Sequence, residues 1–78
     1  MITGVAARDA RRIGFGADDI VEVIQSMQRS HFYKSMTSYH DYKIWQDVYH
    51  VPWEDLTLYV KFTADRITEF MLLSFKEK

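Results

Sequence analysis

The sequence predicts an α+β domain in which two N-terminal helices pack on one face of an antiparallel β-sheet of about four strands. Apolar residues recur at helical spacing before residue 30 and mainly at the two-residue spacing of strands after it. The pieces between the predicted strands are short, which suits hairpins rather than crossover helices. With 78 residues and neither a repeat nor a linker, we expect a single domain spanning residues 1–78.

Two helices are predicted at the N-terminal end, over residues 5–12 and about 17–28. Thr3 is a candidate N-cap for the first helix, and Gly14 is placed to end it. The second helix begins with acidic residues, which favour the positive end of a helix dipole. It also carries one apolar stripe at helical spacing, made of Ile20, Val23, Ile24 and Met27.

Four strands are predicted next, at residues 35–39, 44–50, 56–63 and 69–76. Turn-like pieces separate them, with the sequences HDYK, VPWED and ADRIT. The third strand alternates most cleanly, and its apolar residues from Leu56 to Phe62 place Tyr59 and Lys61 on the open face of the sheet. The second strand is ambiguous, because Gln46 lies on one of its faces and Asp47 on the other.

The faces of the fourth strand also follow from strict alternation. One face collects Met71, Leu73 and Phe75, and the other collects Phe70, Leu72, Ser74 and Lys76. Nothing in the pattern decides which of the two faces the core.

The composition limits the possible functions. It is 47% hydrophobic and 27% charged, which indicates a folded chain, and the absence of cysteine excludes disulfides and thiolate metal sites. No apolar run approaches the roughly 18 residues of a membrane span, and the N-terminus lacks the apolar core of a signal peptide, so we expect a soluble, cytoplasmic protein. The net charge of −1 means that any basic surface for a nucleic acid is local. The three histidines lack metal-site spacing, so no metal is expected.

The polar residues among the strands allow a structural and a functional interpretation. Lys34 can be a solvated charge, Gln46 a structural hydrogen-bonding group and Tyr59 an amphipathic filler. The aromatic excess from Phe32 to Phe62 indicates core first and a base-stacking platform second. These groups also suit RNA cleavage by the substrate's own 2′-hydroxyl, because that reaction needs no protein nucleophile and no metal.

Three motifs, in order, resemble one known family. They are FYKSMTSYHDYKIWQDVY at 32–49, YVKFT at 59–63 and SFKEK at 74–78. The chain resembles the MqsR toxins, small bacterial mRNA interferases of type II toxin–antitoxin systems. The resemblance implies a RelE-like ribonuclease toxin fold. It also implies an endoribonuclease that cuts mRNA at GC-containing triplets without the ribosome, a metal or a cofactor.

The resemblance further implies which residues form the site. The catalytic set is Lys34, Gln46, Tyr59 and Lys76. Tyr59 and the two lysines are expected to handle proton transfer and phosphate charge, while Gln46 orients the RNA. A second set is expected to bind RNA, namely Tyr33, His50 and Lys61. Asp47 is interpreted as a structural hydrogen-bond acceptor.

The implied partner is a zinc-binding, helix-turn-helix antitoxin that also binds DNA. The chain departs from the family pattern in four ways. It begins about one helix later, so the family's first helix is expected to be missing. Its net charge of −1 is unusual for a family whose members tend to be basic. His50 stands where the family often has arginine, and the last hairpin is about two residues longer. These departures keep an alternative open, a catalytically weak or inactive module that binds RNA or an antitoxin.

Overall fold

A computed structural model of the chain shows two helices packed on a four-stranded sheet, and it describes residues 1–37, 44–64 and 66–75. The elements are α1 (Gly4–Arg12), α2 (Ala17–Ser26), a single 3₁₀ turn (Arg29–His31), β1 (Phe32–Thr37), β2 (Trp45–Trp53), β3 (Leu56–Thr63) and β4 (Arg66–Phe75). All neighbouring strands are antiparallel, in the order β1-β2-β3-β4. The predicted α+β class and the predicted meander are therefore confirmed.

The ends of α1 are fixed by the two residues that the sequence pointed to. The Thr3 hydroxyl accepts a hydrogen bond from the Ala6 N–H at 3.1 Å, which satisfies one of the unpaired donors of the first turn. At the other end Gly14 has a φ of 86°, in the left-handed region that favours glycine. The N–H groups of Gly14 and Phe15 then donate back to the last turn, as in a Schellman motif.

The second helix is shorter than predicted. It ends at Ser26 rather than near residue 28, because Met27 is already extended and the chain turns into the 3₁₀ turn. At its start the Asp19 carboxylate accepts the Gly16 N–H at 2.8 Å. The predicted apolar stripe is confirmed, since Ile20 and Val23 are buried and Ile24 and Met27 pack against the core.

One continuous core lies between the helices and the sheet. Its buried members are Ala6, Ala10, Ile20, Val23, Val51, Leu58, Val60, Ile67 and Phe70. The ring of Phe15, just after α1, contacts Phe70 with 5.8 Å between the ring centres. Both helices thus cover the same face of the sheet and leave the other face free. None of the helices in the described ranges has the length and apolarity that a bilayer span requires.

Two predicted turns are wrong because strands occupy part of them. In VPWED, Val51 to Trp53 belong to β2, and only Glu54 and Asp55 form the turn. Val51 is buried and Trp53 packs against the core, which keeps this end of β2 on the sheet. In ADRIT, the residues from Arg66 onward belong to β4, which carries the buried Ile67. The predicted turn HDYK and the predicted end of the first strand at 38–39 lie outside the described residues.

The outer edge of β4 pairs at one point with the N-terminal residues. Ile2 forms a parallel bridge with Ile67, in which the Ile67 N–H donates to the Met1 carbonyl at 2.9 Å and the Thr3 N–H donates to the Ile67 carbonyl at 3.2 Å. This bridge places the start of α1 against the last strand. It explains why β4 begins earlier than the sequence predicts.

Strict alternation along β4 is also wrong. The register with β3 shifts twice, so that β4 has an extra residue between Ile67 and Glu69 and another between Leu72 and Ser74. Between these bulges the pairing is regular, and Phe70 and Leu72 face the core while Met71 is exposed. The bulges therefore decide which side chains of β4 reach the open face.

Candidate functional site

The face of the sheet that the helices leave free collects the polar side chains predicted from the sequence. Tyr49, Val51 and Trp53 of β2 pack toward the helices, so Gln46, Val48 and His50 point the other way. This placement resolves the ambiguity of the second strand. We call the surface formed by these residues and their open-side partners on the neighbouring strands the open face.

One row of the open face crosses all four strands. Lys34 of β1 pairs with Val48 of β2, Val48 pairs with Lys61 of β3, and Lys61 pairs with Glu69 of β4. Directly paired residues of antiparallel strands project their side chains to the same face. Two cations, one apolar residue and one carboxylate thus form a line across the sheet, with the lysines two strand spacings apart.

Val48 is fully buried even though it lies on the open face. Its paired neighbours are the lysines of β1 and β3, whose aliphatic stems can lie along an apolar side chain while the ammonium groups stay in water. Val48 is therefore covered by its neighbours on the open face, while the Lys61 ammonium itself is paired with Glu69 of β4.

The second row of the open face is aromatic. Tyr33 stacks on His50, with 4.0 Å between ring centres and 20° between planes. On its other side His50 pairs with Tyr59 of β3, with 6.2 Å between the ring centres. Tyr33 can reach this row because the register of β1 shifts between Phe32 and Lys34. Lys34 Nζ lies 5.6 Å from the centre of the Tyr33 ring, within cation–π range.

Gln46 lies in the row beyond Lys34 and Val48, opposite Met36 of β1. It is half-buried. The sheet thus brings together Lys34, Gln46 and Tyr59 of the predicted catalytic set. Lys76, the fourth member, lies outside the described residues.

The three residues predicted to bind RNA also lie on the open face. Tyr33 is the most accessible, with 56% of its surface exposed, whereas His50 and Lys61 are half-buried. Lys61 is already paired, because its Nζ lies 2.7 Å from the Glu69 carboxylate.

In the described part of the chain no carboxylate makes an ion pair with Lys34. Arg66 of β4 also projects to this face, because it pairs with Thr63 at the end of β3. In the described residues, Lys34 and Arg66 are therefore the open-face cations that no described carboxylate neutralises.

Glu69 is the residue of this face that the sequence interpretation missed. The predicted strand started at Glu69, so this residue was placed at the end of a strand and not recognised as a partner of Lys61. Its alternation with Phe70, a strong core candidate, was the signal that could have placed it on the open face.

Asp47 lies on the opposite face, as its alternation with Gln46 requires. Its carboxylate accepts a hydrogen bond from the Ser35 hydroxyl at 2.6 Å, and the two residues are paired across β1 and β2. This contact agrees with the interpretation of Asp47 as a structural acceptor. Asp47 also lines an open cavity of about 410 Å³ beside Arg29 and Tyr49.

The site offers cations, phenols, an amide and an imidazole. Across the described residues no group of three or more histidine or acidic side chains is arranged to hold a metal ion. The arrangement can bind a phosphate through lysine and stack bases on Tyr33. It can also move protons through imidazole or phenol.

Comparison with known proteins agrees with these features. The family model described as motility quorum-sensing regulator, toxin of MqsA, matches residues 1–77. The chain is also similar to the mRNA interferase toxin MqsR of Escherichia coli (strain K12). The two are 41% identical over 76 residues, which cover 97% of this chain and 76% of the relative. The chain therefore belongs to the family of the motility quorum-sensing regulator, the toxin of MqsA.

Proposed function

We propose that the open face is where this toxin, an mRNA endoribonuclease, binds and cleaves its substrate in the cytoplasm. The observation that carries the proposal is the sheet register, which gathers Lys34, Gln46 and Tyr59 on the one face that the helices leave free. The E. coli relative is named as an mRNA interferase toxin, which supports RNA as the substrate.

The reaction we propose is attack of the 2′-hydroxyl on the adjacent phosphorus. The nucleophile belongs to the substrate, so the protein supplies position, charge and proton transfer. A pentavalent phosphorane gains negative charge as it forms, and cations fixed on a rigid sheet stabilise that charge without rearranging. Such a mechanism needs neither a metal nor a cofactor.

Each residue has a role that its position supports. Lys34, unpaired by any described carboxylate, neutralises the phosphate, and Tyr59 on the neighbouring row hydrogen-bonds to it. Gln46, further along β2, orients the RNA strand through its amide. Tyr33 offers an exposed ring for a base. By the family resemblance Lys76 joins the phosphate site, which stays a prediction.

The antitoxin partner follows from the family, whose description names MqsA as the protein that this toxin accompanies. We propose that this antitoxin is a zinc-binding, helix-turn-helix protein and that the zinc belongs to it, since the toxin has no cysteine. The test is co-purification of the pair followed by metal analysis of the separated chains. Zinc found with the toxin chain would contradict the assignment.

The deciding experiment is cleavage of a short GCU-containing RNA in EDTA, beside the same RNA with a 2′-deoxy sugar at the cut site. Cleavage of the ribose substrate alone is the expected result. Cleavage of both substrates would refute attack by the 2′-hydroxyl. Loss of activity in EDTA, regained with added metal, would refute metal-free chemistry.

Matched variants locate the reaction on the open face. Lys34→Ala is expected to slow cleavage by about 100-fold or more, whereas Arg12→Ala on α1 is expected to leave it unchanged. Tyr59→Phe is likewise compared with Tyr49→Phe, since Tyr49 packs toward the helices. Equal activity of the two members of either pair, in folded proteins, would remove the open face from the mechanism.

The alternative is a module that binds RNA without cutting it. A folded protein that binds the RNA in a filter or anisotropy assay, yet leaves it intact, would establish that alternative. The half-buried Lys61–Glu69 ion pair is the feature that favours it, because it removes one cation from the phosphate site.

A further inference from the structure

We propose that His50 is the proton donor to the 5′-oxygen that leaves when the RNA strand is cut. The inference rests on the proposed function of the open face and adds to it a general acid. It concerns a residue that the sequence interpretation treated only as a contact for RNA.

The position of His50 is the first support. The imidazole lies at the centre of the aromatic row. It stacks on Tyr33 with 4.0 Å between ring centres, and the tilted ring of Tyr59 lies 6.2 Å away on the other side. It is half-buried, with the Tyr33 ring of β1 against one side and Tyr59 of β3 on the other. Lys34 and Val48 lie in the adjacent row. We place the scissile phosphate between these two rows, with Lys34 in one row and the imidazole in the other.

The chemistry of the available groups is the second support. A general acid works best when its pKa lies near the working pH, so that it holds a proton and can also release it. Lysine and tyrosine side chains ordinarily titrate near pH 10, whereas imidazole ordinarily titrates between pH 6 and 7. Within the described open face His50 supplies the imidazole side chain, so we assign it as the donor of the proton to the leaving oxygen.

The surroundings of His50 can hold an imidazolium. The groups that face it, or lie in the next row, are Tyr33 and Lys34 from β1, Tyr59 and Lys61 from β3, and Glu69 from β4. The 3₁₀ turn that also packs on β2 carries Arg29 and His31. The tyrosine rings favour a cation over their faces, and Glu69 neutralises Lys61. The positive charge of Lys34 repels an imidazolium at His50 in the free protein, and the negative charge of the bound RNA phosphate offsets this repulsion.

The proposed step forms one bond to phosphorus and breaks another. The 2′-oxygen forms a bond to phosphorus, and its proton leaves to solvent water. The bond between phosphorus and the 5′-oxygen breaks, and the electron pair of that bond takes the imidazolium proton from His50. The products are a 2′,3′-cyclic phosphate and a 5′-hydroxyl, and neutral His50 recovers a proton from solvent.

The test compares two RNA substrates that differ in one leaving atom. The first carries the ordinary 5′-oxygen at the cut site, and the second carries a bridging 5′-sulfur, which leaves as a thiolate and needs no acid. Three variants are measured, His50→Ala, His50→Arg and His31→Ala. Their folding is checked by circular dichroism and their RNA affinity with the 2′-deoxy oligonucleotide.

We expect His50→Ala to slow cleavage of the oxygen substrate by about 100-fold or more and to cleave the sulfur substrate as fast as the unaltered protein. The alkaline fall of the pH–rate profile should disappear in this variant. His50→Arg installs the residue that the family often has at this position. It keeps the positive charge but holds its proton, so it should cleave the oxygen substrate more slowly than the unaltered protein and the sulfur substrate equally fast. His31→Ala is the matched control and should keep both rates.

Three outcomes would overturn the proposal. Equal slowing of both substrates by His50→Ala would show that His50 only binds or positions the RNA. Full activity of His50→Arg on the oxygen substrate would show that the charge, rather than the proton, is what matters. Failure of the unaltered protein to cleave either substrate would remove the proposed function itself and this inference with it.

Discussion

The ion pair between Lys61 and Glu69 keeps the Lys61 ammonium from contacting RNA. Removing the charge of Glu69 should therefore strengthen RNA binding. The charged atoms of Lys61 and Glu69 are 2.7 Å apart, and the side chains are only 18% and 25% exposed, so Lys61 spends little time free to meet a phosphate. Glu69→Gln removes the negative charge and keeps the size and a hydrogen-bond acceptor. Lys61 can then turn to the RNA.

The expected magnitude follows from the geometry. One additional cation facing a phosphate is worth about 1 kcal/mol at a partly exposed site, or roughly fivefold in affinity. It should also steepen the dependence of log K on log salt by about 0.7, the value for one phosphate contact on a single strand. The cost is lost charge-assisted hydrogen bonding within the sheet, about 1 kcal/mol of folding stability.

The assay is fluorescence anisotropy of a labelled oligonucleotide with a 2′-deoxy sugar at the cut site, titrated at several salt concentrations. Asp9→Asn is the matched control, because Asp9 pairs with Arg12 on the surface of α1, and its loss changes the net charge equally. Glu69→Gln should bind more tightly and with the steeper salt slope. Asp9→Asn should shift both values little.

Equal behaviour of the two variants would refute this account. It would mean that Lys61 does not reach the RNA even when freed, and that only the total charge of the protein matters. A weaker affinity in Glu69→Gln would indicate that the ion pair holds Lys61 in its binding position.

Three further predictions concern the parts that hold the site in place. Thr3→Ala removes the hydrogen bond to the Ala6 N–H and should lower the free energy of unfolding by about 1 kcal/mol in urea titrations, and an unchanged midpoint would contradict the capping role. Phe70→Ala empties a fully buried position and should cost about 3–5 kcal/mol, enough to abolish the cooperative melt of a domain this small, whereas the 44% exposed Phe32 should tolerate alanine far better. Ser35→Ala should cost roughly 1 kcal/mol through the lost bond to Asp47 and leave RNA cleavage unchanged; a fall in turnover by the folded variant would show that Asp47 acts in the site.

The helices were predictable from local chemistry. Thr3, Gly14 and the apolar stripe of α2 act within a few residues of their own position, and each had the role that its type predicts. The open face was partly predictable for the same reason. The alternation of β3 is local, and it placed Tyr59 and Lys61 correctly.

The strand ends were not predictable, because they depend on partners distant in sequence. Pro52 looked like a strand breaker, yet it lies within β2 opposite Thr57. It is tolerated because β1 pairs with β2 only as far as Tyr49. Beyond Tyr49 this edge of β2 is not paired with β1, so the missing N–H of proline removes no hydrogen bond between strands. Similarly, β4 begins early because the residues beside Ile2 bind its edge.

The local sequence likewise does not determine which face of β2 and of β4 packs on the core. Gln46 and Asp47 are equally compatible with either face until the packing of Tyr49 on the core is known. The bulges of β4 shift its alternation without any glycine to mark them in the sequence. The pairing of Lys61 with Glu69 depends on those bulges, and this is why it was missed.

The bridge between Ile2 and Ile67 has a consequence for how the toxin is made. Residues at the start of the chain pair with the last strand, and α1 packs mainly on that strand. While the ribosome is still adding β4, α1 lacks its main partner, and the loop that joins the two must close over most of the chain. The sheet can therefore be completed only after translation of β4. A newly made molecule therefore gains the Lys61–Glu69 pair and the complete open face only at the end of its synthesis.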